Sequence, residues 1–173
     1  MKKSALLLTL FAAFAMIFAS CSKDKDSASN NGGGGGSTNY GTITFGNQSF
    51  TISHSGYTVD YDEDLDTNIV GIGLATADDQ KGAAIAIPFY STVPTGQFTI
   101  TTSENPEQGD GGLAIVLNSN PAYVATQGTI TINQNGNNYT IDASGSSMAL
   151  SGGDVKSFTV HFTGPLPYYE DEN

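Results

Sequence analysis

From Tyr40 onward the chain is built of short apolar runs that alternate with threonine, serine and glycine. Ile43 and Phe45, then Phe50 and Ile52, fall on one face, while Thr42, Thr44, Thr51 and Ser53 fall on the other. That period of two is the signature of a half-buried strand. The alternation returns at Val70, Ile72 and Leu74, at Ile85, Ile87 and Phe89, at Phe98 and Ile100, and at Leu113, Ile115 and Leu117. Ile130 and Ile132, Tyr139 and Ile141, and Phe158, Val160 and Phe162 complete the series. No stretch of useful length carries a helical period. About nine short strands, separated by turn residues every 8 to 12 positions or so, predict an all-β domain: an antiparallel β-sandwich or barrel.

Turn chemistry supports the same architecture. Asn135-Gly136 between two alternating runs predicts a type I′ hairpin, which needs positive φ at both central residues. Val93-Pro94-Thr95-Gly96 fits a type I turn, with proline second and glycine fourth. There is also an internal echo: residues 41 to 53 (GTITFGNQSFTIS) and 128 to 142 (GTITINQNGNNYTID) share Gly-Thr-Ile-Thr and then an aromatic residue followed by Thr-Ile. The echo is read either as a duplicated hairpin or as convergence of Thr/Ile-rich hairpins.

The N-terminal region is different in kind. Lys2 and Lys3 precede an apolar run from Ala5 to Ala19 broken only by Thr9, and small residues lead to Cys21. This is the layout of a secretory signal peptide, and the run is shorter than a membrane-spanning helix requires. Cys21 is the only cysteine, so it has no partner within the chain. Beyond it a polar segment enters five consecutive glycines, Gly32 to Gly36, and then Ser37-Thr38-Asn39. Such a composition is a flexible coil, and residues 22 to 39 would span on the order of 20 to 25 Å. The expected organisation is therefore a signal peptide at 1–20, a lipidated cysteine and tether at 21–39, and one all-β domain with a short acidic tail at 40–173. That domain is long enough to bury about two thirds of its unfolded surface without disulfides.

Ala19-Ser20-Cys21 resembles the lipobox of bacterial lipoproteins, with Phe18 in place of the usual aliphatic residue. Ser22-Lys23-Asp24-Lys25-Asp26 resembles the short charged export tags beside the cysteine in surface lipoproteins of some Gram-negative anaerobes, and reads equally as a solvated linker. In layout the whole precursor resembles the small all-β surface lipoproteins of Gram-negative gut anaerobes, whose domains are lipocalin-like or immunoglobulin-like. The resemblance implies cleavage before Cys21, several acyl chains such as palmitate on that residue, and lipid anchoring at the outer membrane, facing the cell surface. Two or more chains are what stable anchoring takes.

Charge narrows the partners. The chain has six lysines, no arginine and a net charge of −11, and loss of Lys2 and Lys3 takes it to −13. Residues 40 to 173 keep only Lys81 and Lys156 against fifteen acidic residues. Nucleic acid needs a basic face and is excluded as a partner. Anionic lipid should be repelled too, which leaves acylated Cys21 as the membrane contact.

The densest chemistry is an acidic segment. Asp60, Asp62, Glu63, Asp64 and Asp66, with Asn68 beyond, are expected in a loop, where Asp60, Asp62, Asp64 and Asp66 could converge on Ca²⁺. The EF-hand pattern fails, because Leu65 takes the place of the required glycine and Gly71 that of the bidentate glutamate. The competing reading is a solvated acidic loop. Catalysis has less support: His54 is expected to be partly buried near a strand end, and His161 to face solvent. No nucleophile, zinc set or carboxylate pair is singled out by spacing.

A non-catalytic binding or adhesion domain for a glycan or protein ligand is therefore the expected function. Tyr57, Tyr61, Tyr90 and Tyr123, placed at or near loops, are the candidate ligand contacts. A structural or assembly role in an envelope complex is the alternative, with Pro165-Leu166-Pro167-Tyr168-Tyr169 and the acidic tail either docking on a partner or disordered. A carboxylate-based hydrolase ranks third. Replacing Cys21 with alanine should abolish incorporation of radiolabelled palmitate and release the protein from the membrane fraction. An acylated, membrane-bound Cys21→Ala protein would refute the lipoprotein reading.

Overall fold

The computed structural model describes residues 39–103, 105–118 and 120–169, so the expected signal peptide, Cys21 and nearly all of the tether lie outside the described residues. The described residues form ten strands and no helix. In chain order these are β1 (Gly41–Phe45), β2 (Gln48–Ile52), β3 (His54–Asp62), β4 (Thr67–Ala75) and β5 (Lys81–Pro88). Then come β6 (Gly96–Ile100), β7 (Asp110–Leu117), β8 (Asn120–Asn135), β9 (Asn138–Ala149) and β10 (Val155–Pro165). They hydrogen-bond into one sheet in the order β2-β1-β10-β9-β8-β6-β7-β5-β4-β3, with β7 also pairing β8. The all-β expectation holds, and each of the nine expected strands is present.

The additional strand is β3. Its side chains toward the core are Tyr57 and Val59, both half-buried, and its remaining residues are largely polar, so hydrophobic alternation alone did not mark it. The segment expected as an acidic loop is therefore mostly strand: Asp60 and Asp62 belong to β3 and Asn68 to β4, and Asp62 pairs with Thr67. Another departure is a short parallel pairing of β6 with β7, Thr99 opposite Asp110 and Ile100 opposite Gly111, in an otherwise antiparallel sheet. The Val93-Pro94-Thr95-Gly96 segment is an irregular link and not a turn, because Val93 turns inward and joins the core.

The hairpin at Asn135-Gly136 is shifted by one residue. Asn135 pairs with Asn138, so the two-residue loop is Gly136-Asn137, and positive φ is found at Gly136 (60°) and not at Asn137. This is the φ pattern of a type II′ turn, which asks for glycine at the first central position only. The β1–β2 hairpin uses the same device, with Phe45 pairing Gln48 around Gly46-Asn47 and φ of 56° at Gly46. The sequence echo is thus two hairpins of one design. Ile43 and Ile130 point inward at matching places, and Gly41 and Gly128 open the two repeats with φ of 146° and 145°.

The sheet curls into a half-barrel around a core of Ile43, Phe45, Ile72, Leu74, Ile85, Leu113, Ile115, Ile130, Ile141, Phe158 and Phe162, among others. Its two edge strands are tied to each other. Ser53 alone separates β2 from β3, and its N–H donates to the Ala75 carbonyl at 2.7 Å. The segment after β10 then crosses to β3, with Ser55 Oγ donating to Pro165 O, Tyr57 N to Pro167 O, and Tyr169 N to Tyr57 O, all at 2.8 to 2.9 Å. Leu166 enters the core as it passes. The proline-tyrosine segment, expected to dock on a partner or be disordered, docks on the protein's own edge strand, which shields groups that an open edge would leave unpaired.

Gly128 tests one of the tight strand contacts. A Cβ there would lie 2.2 Å from the Ser144 carbonyl oxygen, on a backbone with φ of 145°. Urea unfolding of the chain from residue 21 to 173 should show Gly128→Ala destabilised by about 2 to 4 kcal/mol, and exposed Thr129→Ala changed by no more than about 0.5 kcal/mol.

Candidate binding face

Because one side of every strand faces the core, the other side forms the outer surface. Over β2, β1, β10, β9, β8 and β6 the registers align outward residues into two neighbouring rows. One row is Ser49, Thr44, Thr159, Ser144, Thr129 and Thr99, hydroxyl side chains on all six strands. The other is Thr51, Thr42, His161, Asp142, Thr131 and Gln97. Between the two rows, on the inner side, lie Phe50, Ile43, Val160, Ala143, Ile130 and Phe98, and their packing against the core holds the outward rows in place.

Adjacent strands are about 4.8 Å apart and alternate residues on a strand about 6.7 Å apart, so the rows form a regular lattice of donors and acceptors. At its centre is an open depression of about 280 Å³ lined by Thr129, Thr131, Asp142, Ala143, Ser144, Thr159, Val160 and His161. His161 Nδ1 and Asp142 Oδ1 are 2.6 Å apart across β9 and β10, with both side chains more than half exposed. The contact occupies Nδ1 and leaves Nε2 as the ring nitrogen available to a ligand. His161 faces solvent as expected. His54 is about two-fifths exposed and bonds Asp79 Oδ1 through Nδ1 at 2.8 Å. Among the described residues neither histidine is hydrogen-bonded to a serine or threonine hydroxyl.

The four tyrosines are not brought together. Tyr57 lies mid-strand in β3 against the core and packs on the Tyr168 ring at 5.2 Å. Tyr61 is 60% exposed near the end of β3, and its hydroxyl donates to Asp66, which raises the tyrosine's pKa. Tyr90 follows β5 and meets Phe98 edge to face at 5.9 Å. Tyr123 lies on β8 beside the β9–β10 turn, toward the other end of the sheet from Tyr90.

The acidic side chains are used within their own hairpin. Asp62 Oδ1 accepts the N–H groups of Asp64 and Leu65 at 3.0 Å each, Asp60 accepts from Thr58 Oγ1 at 3.1 Å, and Asp66 accepts from Tyr61. Among the described residues no three His, Cys, Asp or Glu side chains converge as a metal site, so the gathering of Asp60, Asp62, Asp64 and Asp66 expected for Ca²⁺ is not found. Charge density in sequence does not fix convergence: Asp60 and Asp62 belong to β3, whereas Asp64 and Asp66 lie in the turn before β4, and the bonds of Asp60, Asp62 and Asp66 are made to separate local partners.

Tyr123 instead belongs to a cluster that sequence reading missed. Its hydroxyl donates to Asp154 Oδ2 at 2.6 Å and accepts from Lys156 Nζ at 3.1 Å, and Lys156 also pairs with Asp154 at 3.2 Å. The ammonium lies over the Tyr123 and Phe45 rings, 5.0 and 5.4 Å from their centroids. These contacts reach across three strands, and the only local sign of them is the Asp154-x-Lys156 spacing. The face and the fold define an all-β domain with a hydroxyl-lined outer surface. No family model, curated protein or solved structure matches the chain.

The hydrogen bonds of Tyr123, and then of Lys156, hold the Asp154 carboxyl below its ordinary 3.8. A depressed folded-state pKa contributes stability above the unfolded value, and that contribution is lost as pH falls through the depressed value. The melting-temperature gap between the parent chain and Asp154→Asn should therefore be present at neutral pH and close below pH 3.8. A gap that persists there would refute the assignment.

Proposed function

We propose that this protein is a membrane-anchored lipoprotein whose domain is a non-catalytic binding module for neutral glycans, held at the outer cell surface through acylated Cys21. The observation that carries the reading is the pair of outward rows over six strands, with the Asp142–His161 pair set in the depression at their centre. Hydroxyl side chains both donate and accept, as sugar hydroxyls do, and an exposed carboxylate paired with an imidazole adds a directed acceptor and donor. Neither Lys81 nor Lys156 is in these rows, and Asp142 is, so an anionic ligand is disfavoured. The face is long and open, which suits an extended chain better than a small enclosed ligand. The Gly-rich tether supports the same use, since it lets the domain reorient above the membrane.

Glycan-array binding by the chain from residue 21 to 173, followed by titration with the best neutral oligosaccharide, tests this directly. His161→Ala combined with Thr129→Val should weaken binding about tenfold or more, because two polar contacts are each worth about 1 kcal/mol. Tyr61→Ala should leave affinity unchanged. Failure to bind any glycan, or equal affinity in the double variant, would refute the reading. A co-purifying protein lost in the same variant would move the face to a protein ligand.

A further inference from the structure

After β10 the chain leaves the sheet as a short arm. Leu166 to Tyr169 run along the edge of β3 and parallel to it, with Tyr168 bridged to Tyr57. Two main-chain hydrogen bonds hold the arm, Tyr57 N to Pro167 O and Tyr169 N to Tyr57 O, both 2.9 Å. Three side-chain contacts add to them. Leu166 is 7% exposed and sits in the core, the Tyr168 ring packs on the Tyr57 ring at 5.2 Å, and the Tyr169 ring occupies the space that a Cβ on Gly56 would take.

The edge of β3 is therefore built to receive a short extended peptide. It offers the N–H and C=O of Tyr57 for pairing, an opening in the core for one aliphatic side chain, a ring to pack on, and a glycine that lets a second ring lie against the backbone. Strand addition at a sheet edge works in this way, with backbone bonds supplying affinity and pockets for side chains supplying selectivity. None of these contacts requires the arm and the edge to belong to the same copy. The arm's root is Pro165, whose carbonyl accepts from Ser55 Oγ at 2.8 Å, and the link from Pro165 to Leu166 is its one covalent tie to the sheet among the described residues. Gly164 and Leu166 each precede a proline, which disfavours helical backbone and keeps the arm extended when it is released. Release of the arm does not release β3, which stays paired with β4 from His54 to Asp62.

We propose that the arm Leu166–Tyr169 is exchanged between two copies of this chain, each laying its arm on β3 of the other. The occupant is set by the fit already present: the opening holds a leucine and the Gly56 surface a tyrosine, and a second copy carries the same segment. Every contact of Leu166–Tyr169 in the closed monomer recurs in the dimer, so exchange is a low-cost route to a two-fold pair. In the monomer the short link keeps the arm at high local concentration, so the dimer forms when concentrated copies release their arms during refolding. The arm residues are uncharged while each copy is strongly acidic, so salt, which screens repulsion between copies, favours the dimer.

The test uses the chain from residue 21 to 173 bearing Cys21→Ala, which removes disulfide dimers. Refolding from urea at high protein concentration should give a species of twice the monomer mass by light scattering, more of it in high salt, and refolding at low concentration should give monomer. Leu166→Asp with Tyr169→Ala spoils the arm and leaves β3 intact, whereas Gly56→Val spoils the edge and leaves the arm intact. Each variant should be monomeric alone, and the two refolded together should form a one-to-one dimer. A synthetic peptide of residues 164–169 should bind the arm-spoiled chain and not the Gly56→Val chain. If the arm-spoiled chain fails to fold, the unmutated chain still decides: a monomer at every refolding concentration would overturn the proposal. A dimer that persists when both copies carry Gly56→Val would place the contact elsewhere and overturn it as well.

Discussion

Ile52 ends one edge strand of the sheet and His54 begins the other, with Ser53 alone between them. A single residue spans only about 3.5 Å, so the two edges of a ten-stranded sheet must approach each other and the sheet must curl. The curl gives the sheet an inside, where the inward residues of ten strands form one core and leave the outward residues as surface. Residues 165–169 complete the closure by pairing with β3, and the Tyr169 ring lies where a Cβ on Gly56 would be, 2.1 Å from Tyr169 Cε2. Gly56 is thus required by the closure. Lys81 of β5 over the Phe50 ring of β2, at 5.2 Å, is another contact that exists only because the sheet has come round on itself.

The strand pattern was legible because inward positions in nine strands are apolar, and the two-fold period reports that directly. What it could not report was how the edges meet. Pairing of Tyr57 with Tyr168 and the crossover at Ser53 join residues far apart in sequence or switch the partner within one step, and neither leaves a periodic trace. Turn placement was nearly legible: the Asn135-Gly136 pair marks the hairpin, but strand register decides which two residues form the loop, and in both hairpins it selects glycine first.

The candidate site is written in the sequence as the polar half of the same alternation, and the two-fold period alone marks that half only as the solvent side. The repeated Thr-Ile-Thr at 42–44 and 129–131 was the available signal. Its significance depends on β9 and β10 lying between the two repeats in a register that continues both rows, a long-range property of the sheet. The acidic run shows the opposite case, in which a conspicuous local feature dissolves into hairpin caps and strand ends. The four tyrosines are likewise scattered, since Tyr57, Tyr90 and Tyr123 serve ring packing with Tyr168, Phe98 and Phe45 respectively.

The outer surface has a threonine-rich half and a half of small apolar residues on β4, β5 and β7, and the two follow from what each side chain does with water. Threonine on a strand costs little to leave exposed, because its hydroxyl stays hydrated while its branched carbon suits the pleat. Glycine in a strand interior costs about 0.5 to 1 kcal/mol relative to alanine and packs nothing, so a surface that uses Gly71, Gly73 and Gly112 sacrifices stability unless close approach returns it. Exposed alanine, valine and isoleucine also leave unrealised the roughly 25 cal/mol per Å² that burial would supply. A face of that composition is therefore stable only when covered, whereas the threonine rows are stable bare. The same sheet thus carries one outer half of hydroxyl side chains that remain hydrated and another of small apolar ones that favour burial.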